Sequence, residues 1–185
     1  MDRKSLVRKA FHFSSAAIPT VYLLAGRRFA LMCILFLLTA SAIFELLRIK
    51  GIIFIPMIQK YIQFKDEETR KPTGSFFYLL GALITVISFG SSVAIPSLFV
   101  VSISDPLSSL TGSFWGKTRF RGKSLEGSLT FLVSSLCILL IFSYPWHVAF
   151  IAALAATLTE LLTPRVLDDN LSIPPITALT LAGFT

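Results

Sequence analysis

Apolar residues in this chain do not alternate with polar ones in the period of a half-buried strand. They form long runs separated by short polar clusters, which is the pattern of helices buried in lipid or in a core. Seven runs predict helices, at about 10–25, 29–47, 74–89, 93–112, 128–146, 148–163 and 172–185. Several are shorter than the ~20 residues that cross a bilayer comfortably, so 74–89 and 148–163 read as tilted or extended into their loops. Residues 51–64, GIIFIPMIQKYIQF, carry Pro56, Gln59 and Lys60, and read as an interfacial helix instead of a further span. The first run follows basic residues, as a signal peptide would. His12, Ser14, Ser15 and Pro19 dilute it and more runs follow, so it is expected to stay as a first membrane helix.

Composition narrows the class. The 185 residues are 54% hydrophobic, with a mean hydropathy of +0.76, too apolar for an ordinary soluble domain. Without alternation a closed barrel is excluded, which leaves helices. The expected fold is all-α: one domain over 1–185, a polytopic membrane bundle of about seven transmembrane helices. The net charge of +7 does not imply nucleic acid, because the basic residues sit in loops beside the apolar runs. Cys33 and Cys137 lie inside apolar runs without disulfide or metal spacing. No Ser-His-Asp order, CxxC or H-E-x-x-H supports a hydrolase or zinc reading.

Charge then sets topology. With a cytoplasmic N-terminus and one crossing per helix, fifteen of the seventeen Lys and Arg residues fall on the inner side and only Arg27 and Arg28 on the outer. All ten acidic residues also fall on the inner side or at inner helix ends, although acids follow the charge rule weakly. Glu45, Asp105, Glu160 and the pair Asp168–Asp169 thus share one depth. A structural bundle has no need of them, whereas a magnesium–polyphosphate site does.

The stretch Ser104–Ser128, SDPLSSLTGSFWGKTRFRGKSLEGS, concentrates the chemistry. Asp105 is set in an apolar run, at a cost of about 2.5–3.5 kcal/mol on insertion scales. Gly112, Gly116, Gly122 and Gly127 would let backbone N–H groups approach phosphate oxygens, and Lys117, Arg119, Arg121 and Lys123 add charge-assisted bonds. A plain basic connector obeying charge bias is the bland alternative. The glycine–lysine spacing does not fit the soluble P-loop. Elsewhere, His12 near Arg8 and Lys9 could face the same site. Glu45 and Arg48 can pair at i, i+3. Lys71, Thr73 and the helix start after them could take a phosphate or form a plain cap. Glu160 lies among Thr157, Thr159 and Thr163, and Asp168, Asp169 and Asn170 form either a cation-binding corner or a common turn.

The central stretch resembles the nucleotide-binding signature of the CTP-dependent lipid kinases, which include dolichol, phytol and farnesol kinases and the yeast-type diacylglycerol kinase. Phosphatidate cytidylyltransferases carry a variant of it. RKAFHFSS, KPTGSFFYLLG and TELLTPRVLDDNLSIP are similar to further motifs of that family, in the expected order. The resemblance implies CTP as phosphate donor and Mg2+ as cofactor. It implies catalytic roles for Asp105, Lys123, Glu126 and Asp169. Gly112, Gly116, Lys117, Ser124, Gly127 and Asn170 would bind nucleotide, with Arg8, Lys9, His12, Arg48, Lys71 and Thr73 as further contacts. Asp105, Glu126, Glu160, Asp168 and Asp169 would hold the metal. Pro106 and Leu107 depart from the family pattern, which often has small residues there.

The expected function is transfer of the γ-phosphate of CTP to the hydroxyl of a membrane lipid alcohol, a polyprenol, phytol-like isoprenoid or diacylglycerol. The partners are then a nucleotide and a lipid, with no nucleic acid, and a homodimer is compatible with the sequence. The short length and lack of a transit peptide suggest a prokaryotic inner membrane, with the site facing the cytoplasm. Two alternatives stay open: a cytidylyltransferase that attacks the α-phosphate, and a small transporter or lipid-binding membrane protein.

Overall fold

The computed structural model describes residues 12–52, 72–163 and 168–184, and these are almost entirely helical. A 3-10 turn at Ser14–Ala16 leads into α1, Ala17–Ile49. Gly26 interrupts α1 with φ 81° and ψ 174°, a conformation that side chains with a Cβ rarely adopt. The helices expected at 10–25 and 29–47 are therefore two limbs of one run, broken at the expected seam. α2 (Gly74–Ser88) turns at Gly90 into α3 (Ser91–Phe99), which widens into a π turn at Val100–Ser104 before α4 (Asp105–Phe114). The wide turn directly precedes Pro106, which has no N–H to give to the carbonyl one turn back. The departure at Pro106 thus coincides with a local irregularity that leaves the helix continuous through Asp105.

Two short strands follow. β1 (Arg119–Phe120) and β2 (Lys123–Ser124) pair antiparallel, with Arg119 opposite Ser124 and Phe120 opposite Lys123. Arg121 (φ 51°) and Gly122 (φ 93°) form the turn between them. Positive φ at both central residues matches the twist of a two-residue hairpin. The chain ends in α5 (Leu125–Ile141), α6 (Trp146–Leu162) and α7 (Asp169–Ala182). Ser124 caps α5 by accepting the Gly127 N–H, and Asp168 caps α7 by accepting that of Asn170.

α7 packs between α2 and α6, and α5 between α4 and α6. Ala149, Ala152, Ala153 and Ala156 are fully buried at helical spacing, so α6 can approach its neighbours closely. Gly81 does the same for α2. A Cβ there would stand 2.8 Å from the Asn170 carbonyl oxygen and 2.9 Å from that of Leu171. Pro174 and Pro175, four residues further on, cannot donate to those two carbonyls. The bare Gly81 backbone therefore lies against the acceptors that the prolines leave without helical donors.

Large apolar side chains, among them Leu24, Phe36, Leu46, Ile141 and Leu179, point outward. Extended apolar surface of this kind suits a lipid boundary. By length and composition the runs Ser14–Ile49 and Ser91–Phe114 can cross a membrane, while Gly74–Ser88, Leu125–Ile141 and Trp146–Leu162 are shorter apolar helices. The expected count of seven crossings is not supported. Helices of 15 to 17 residues rise only about 22–26 Å at 1.5 Å per residue, short of the ~30 Å hydrocarbon layer. The expected interfacial helix at 51–64 lies, beyond Gly51 and Ile52, outside the described residues.

Cross-bonds define two ends. At one, Arg27 donates to the Ile87 carbonyl at 2.7 Å and the Tyr144 hydroxyl to the Ser92 carbonyl at 2.8 Å. The opposite end gathers Glu45, Thr73, the hairpin and the start of α7.

Candidate functional site: a lysine among three carboxylates

Lys123 enters this end from the second hairpin strand, held in place by the tight turn at Arg121–Gly122. Its Nζ stands 2.7 Å from Glu160 Oε1 on α6 and 2.5 Å from Asp169 Oδ2 on α7. Asp105, the first residue of α4, completes the group: Asp105, Glu160 and Asp169 offer oxygens that all lie within 4.8 Å of one another. His12 Nε2 is 3.2 Å from Asp105 Oδ2. Ser128 donates to Glu160 Oε2 at 3.1 Å. Four distant parts of the chain and the N-terminal histidine thus meet at one point.

Burial makes this costly unless the charges are matched. The Glu160 side chain is only 4% exposed, and Lys123 together with Ser128 satisfies both of its oxygens. Burial works against the Lys123 ammonium, but Asp169 and Glu160 outweigh it and raise its pKa above the ordinary lysine value. The lysine therefore stays charged, and three carboxylates face it.

The neighbouring corner is a continuous row. Asn170 Nδ2 donates to Asp168 Oδ1 at 2.7 Å, while Asn170 Oδ1 is buried with no hydrogen-bond partner among the described residues. Gly74 lies against this pair, its missing Cβ position 3.2 Å from Asn170 Nδ2. One residue earlier, the Thr73 N–H donates to Glu45 Oε1 at 3.1 Å, and Glu45 Oε2 accepts from Arg48. The Glu45–Arg48 pair is present, and it also fixes the entry to α2.

The hairpin residues divide differently from expectation. Lys117, Arg119 and Arg121 are exposed. Glu126, expected among the metal ligands, instead turns back on the loop: its Oε1 accepts the N–H groups of Lys117 and Thr118, each at 3.1 Å. Those two N–H groups are engaged by a carboxylate. Gly112, Gly116 and Gly127 crowd Ser124, with a Cβ on Gly112 falling 2.5 Å from its Oγ and one on Gly127 2.8 Å from it. They let α4, the hairpin and α5 close together; in this arrangement Ser124 fills the space between them. Asp168 serves as the cap of α7, beside the three-carboxylate group. Arg8, Lys9 and Lys71 lie outside the described residues. Sequence reasoning missed Ser128. Its only signal is a small polar residue one helical turn beyond Ser124.

Comparison with known proteins adds a frame. No family model matches the chain, and no solved structure matches it. It is 28% identical over 131 residues to an uncharacterized protein of Methanocaldococcus jannaschii, covering 68% of this chain and 66% of that one. It is 27% identical over 137 residues to the CTP-dependent diacylglycerol kinase 1 of Schizosaccharomyces pombe, covering 63% of this chain and 62% of the kinase. An uncharacterized protein of Rickettsia prowazekii is 32% identical over 180 residues, 90% of this chain and 88% of the other. At that identity and coverage, the chain belongs to one family with the Rickettsia prowazekii protein.

Proposed function

We propose that this protein transfers the γ-phosphate of CTP to the hydroxyl of a membrane lipid alcohol, a polyprenol, a phytol-like isoprenoid or diacylglycerol, at the cytoplasmic membrane face. The observation that carries the reading is the meeting of Asp105, Lys123, Glu160 and Asp169 at one end of an apolar bundle. The distant similarity to a CTP-dependent diacylglycerol kinase supports the choice of nucleotide and acceptor class.

The donor set suits a magnesium ion: three carboxylates supply hard oxygen ligands within 4.8 Å of one another. Asp105, Glu160 and Asp169 would hold it, and when bound it supplies neutralisation of the negative charge on the phosphates. The chain's own groups do the rest. Lys117, Arg119 and Arg121, exposed on the hairpin, bind the triphosphate oxygens. Lys123 holds Glu160 and Asp169 in register, so the cluster keeps its shape when a charged substrate arrives. Asp169 is engaged by that lysine, which leaves Asp105 as the base. Asp105 takes the hydroxyl proton as the alcohol oxygen forms its bond to the γ-phosphorus, and the bond to CDP breaks. His12, beside Asp105, orients it. Asn170 Oδ1, a buried acceptor without a partner among the described residues, accepts from the lipid hydroxyl before transfer. The lipid keeps its tail against the outward apolar faces and presents only its head.

The test uses the purified full chain with CTP labelled at the γ-position and a panel of lipid alcohols. Label in the lipid supports the reading. Label delivered only from the α-position means nucleotidyl transfer instead, and no labelled lipid with any alcohol overturns it.

A further inference from the structure

The far end of the bundle holds a second polar site, well away from the carboxylate group. A cleft of about 470 Å³ opens there between Tyr22, Leu23, Gly26 and Arg27 of α1 and Gly90, Ser91 and Ile95 at the start of α3. Two helix beginnings face it. The non-helical Gly26 restarts α1 at Arg27, and α3 begins at Ser91 after Gly90, with no side-chain cap on its first turn. First-turn N–H groups lack partners within their own helix and carry the positive end of its dipole. Arg27 adds a full charge; its guanidinium is steadied by one bond to the Ile87 carbonyl. Among the described residues nothing outside its own stretch of helix lies within 4 Å of where a Gly26 Cβ would stand, so there is open space beside this residue.

An independent observation points to a ligand. Tyr22 lines the cleft and is only 3% exposed, yet its hydroxyl has no hydrogen-bond partner among the described residues. A buried phenol normally finds an acceptor. The polar side chains lining the cleft can all donate, Tyr22 and Ser91 through hydroxyls and Arg27 through its guanidinium, and the two helix starts add backbone N–H groups, with no acidic side chain among the lining residues. The missing partner is therefore an acceptor bearing negative charge.

We propose that this cleft binds a phosphate group, carried by a phospholipid headgroup or present as the free ion, at the membrane face opposite the carboxylate cluster. Leu23 and Ile95 provide apolar walls at its side, and phosphate matches the fork of Arg27 and the paired helix starts. The site is separate from the proposed phosphoryl transfer and does not depend on it.

The test measures thermal stabilisation and bound lipid by native mass spectrometry on the full chain in delipidated detergent. One arm adds short-chain phosphatidylglycerol, the other inorganic phosphate. The proposal expects saturable stabilisation by at least one probe, and the arm that responds identifies the source. Tyr22→Phe removes only a hydroxyl without a partner, so it should leave the unliganded protein as stable as before and weaken binding about tenfold. Arg27→Gln should weaken it at least as much. Absence of a saturable response to both probes overturns the proposal, as does unchanged binding in Tyr22→Phe. If Arg27→Gln unfolds through loss of its bond to Ile87, the tyrosine variant still decides.

Discussion

Lys123 Nζ stands 2.5 Å from Asp169 Oδ2, a contact that ties the hairpin to the first turn of α7 across 46 positions of chain. The same ammonium reaches Glu160, so removing it strands two carboxylates at once. Lys123→Met should therefore lower stability by roughly 2–3 kcal/mol, somewhat under the ~3–5 kcal/mol typical of breaking a fully buried pair, because part of the lysine side chain meets solvent. Adding Glu160→Gln to Lys123→Met should recover part of that loss. Thermal unfolding of the two variants in detergent checks both; a double variant less stable than Lys123→Met would contradict the pairing.

Alkaline pH tests the same contact differently. The folded protein raises the Lys123 pKa above its unfolded value near 10.5. The stabilisation linked to this lysine is then complete below pH 10.5 and is lost as pH rises through the higher folded value. The stability gap between wild type and Lys123→Met should stay constant through neutral and mildly alkaline pH, and narrow only above about pH 10.5. Chemical denaturation across that range reads the gap. Narrowing already at pH 8–9 would mean that the lysine is not held by its carboxylates.

Gly81 offers a test of how the helix contact positions the site. A methyl there meets the Asn170 and Leu171 carbonyl oxygens at under 3 Å, and both belong to backbone that cannot swing aside. Gly81→Ala should cost about 1–3 kcal/mol by overpacking and push the start of α7, with Asp169, away from Lys123. Lipid phosphorylation should fall with it. Gly183→Ala, whose new Cβ would come no nearer than 3.4 Å to the Thr180 carbonyl oxygen, serves as the control and should change little.

What the sequence made legible, and what it did not, follows from which forces are local. Acids at one depth are visible in the one-dimensional pattern, and Asp105, Glu160 and Asp169 do converge. The seam between the first two helices is visible because Gly26 sits there. Glu126 is different. Its partners are the N–H groups of Lys117 and Thr118, and only the hairpin turn brings those within reach. Glycines at 112, 116 and 127 look the same on paper whether they admit a phosphate or a serine side chain; Ser124 occupies that space here. The span count overreached because apolar runs reveal where helices lie but not where they end; the helices that start after Thr73, Ser124 and Pro145 stop after 15 to 17 residues. Ser128 stayed hidden among many helical serines, since nothing local distinguishes one that faces Glu160.

Cation binding separates the roles of the lysine and the carboxylates. Lys123 already takes one oxygen from Glu160 and one from Asp169, so a divalent ion must share those ligands with an ammonium group. Asp105, which faces His12, has no such lysine contact among the described residues and should be its most available ligand. Two variants are then expected to move in opposite directions. Asp105→Asn should weaken binding of Mn2+, used as a paramagnetic stand-in for Mg2+, by at least tenfold, through loss of a charged oxygen donor. Lys123→Met should strengthen it several-fold in any variant protein that stays folded, since a competing positive charge has gone. Chelation should abolish lipid phosphorylation and Mg2+ should restore it. Titration of Mn2+ followed by electron paramagnetic resonance reads affinity without relying on turnover. Equal weakening in both variants would show that the lysine organises the ligands more than it competes with the ion, and no binding in the wild type would remove the cation from the site.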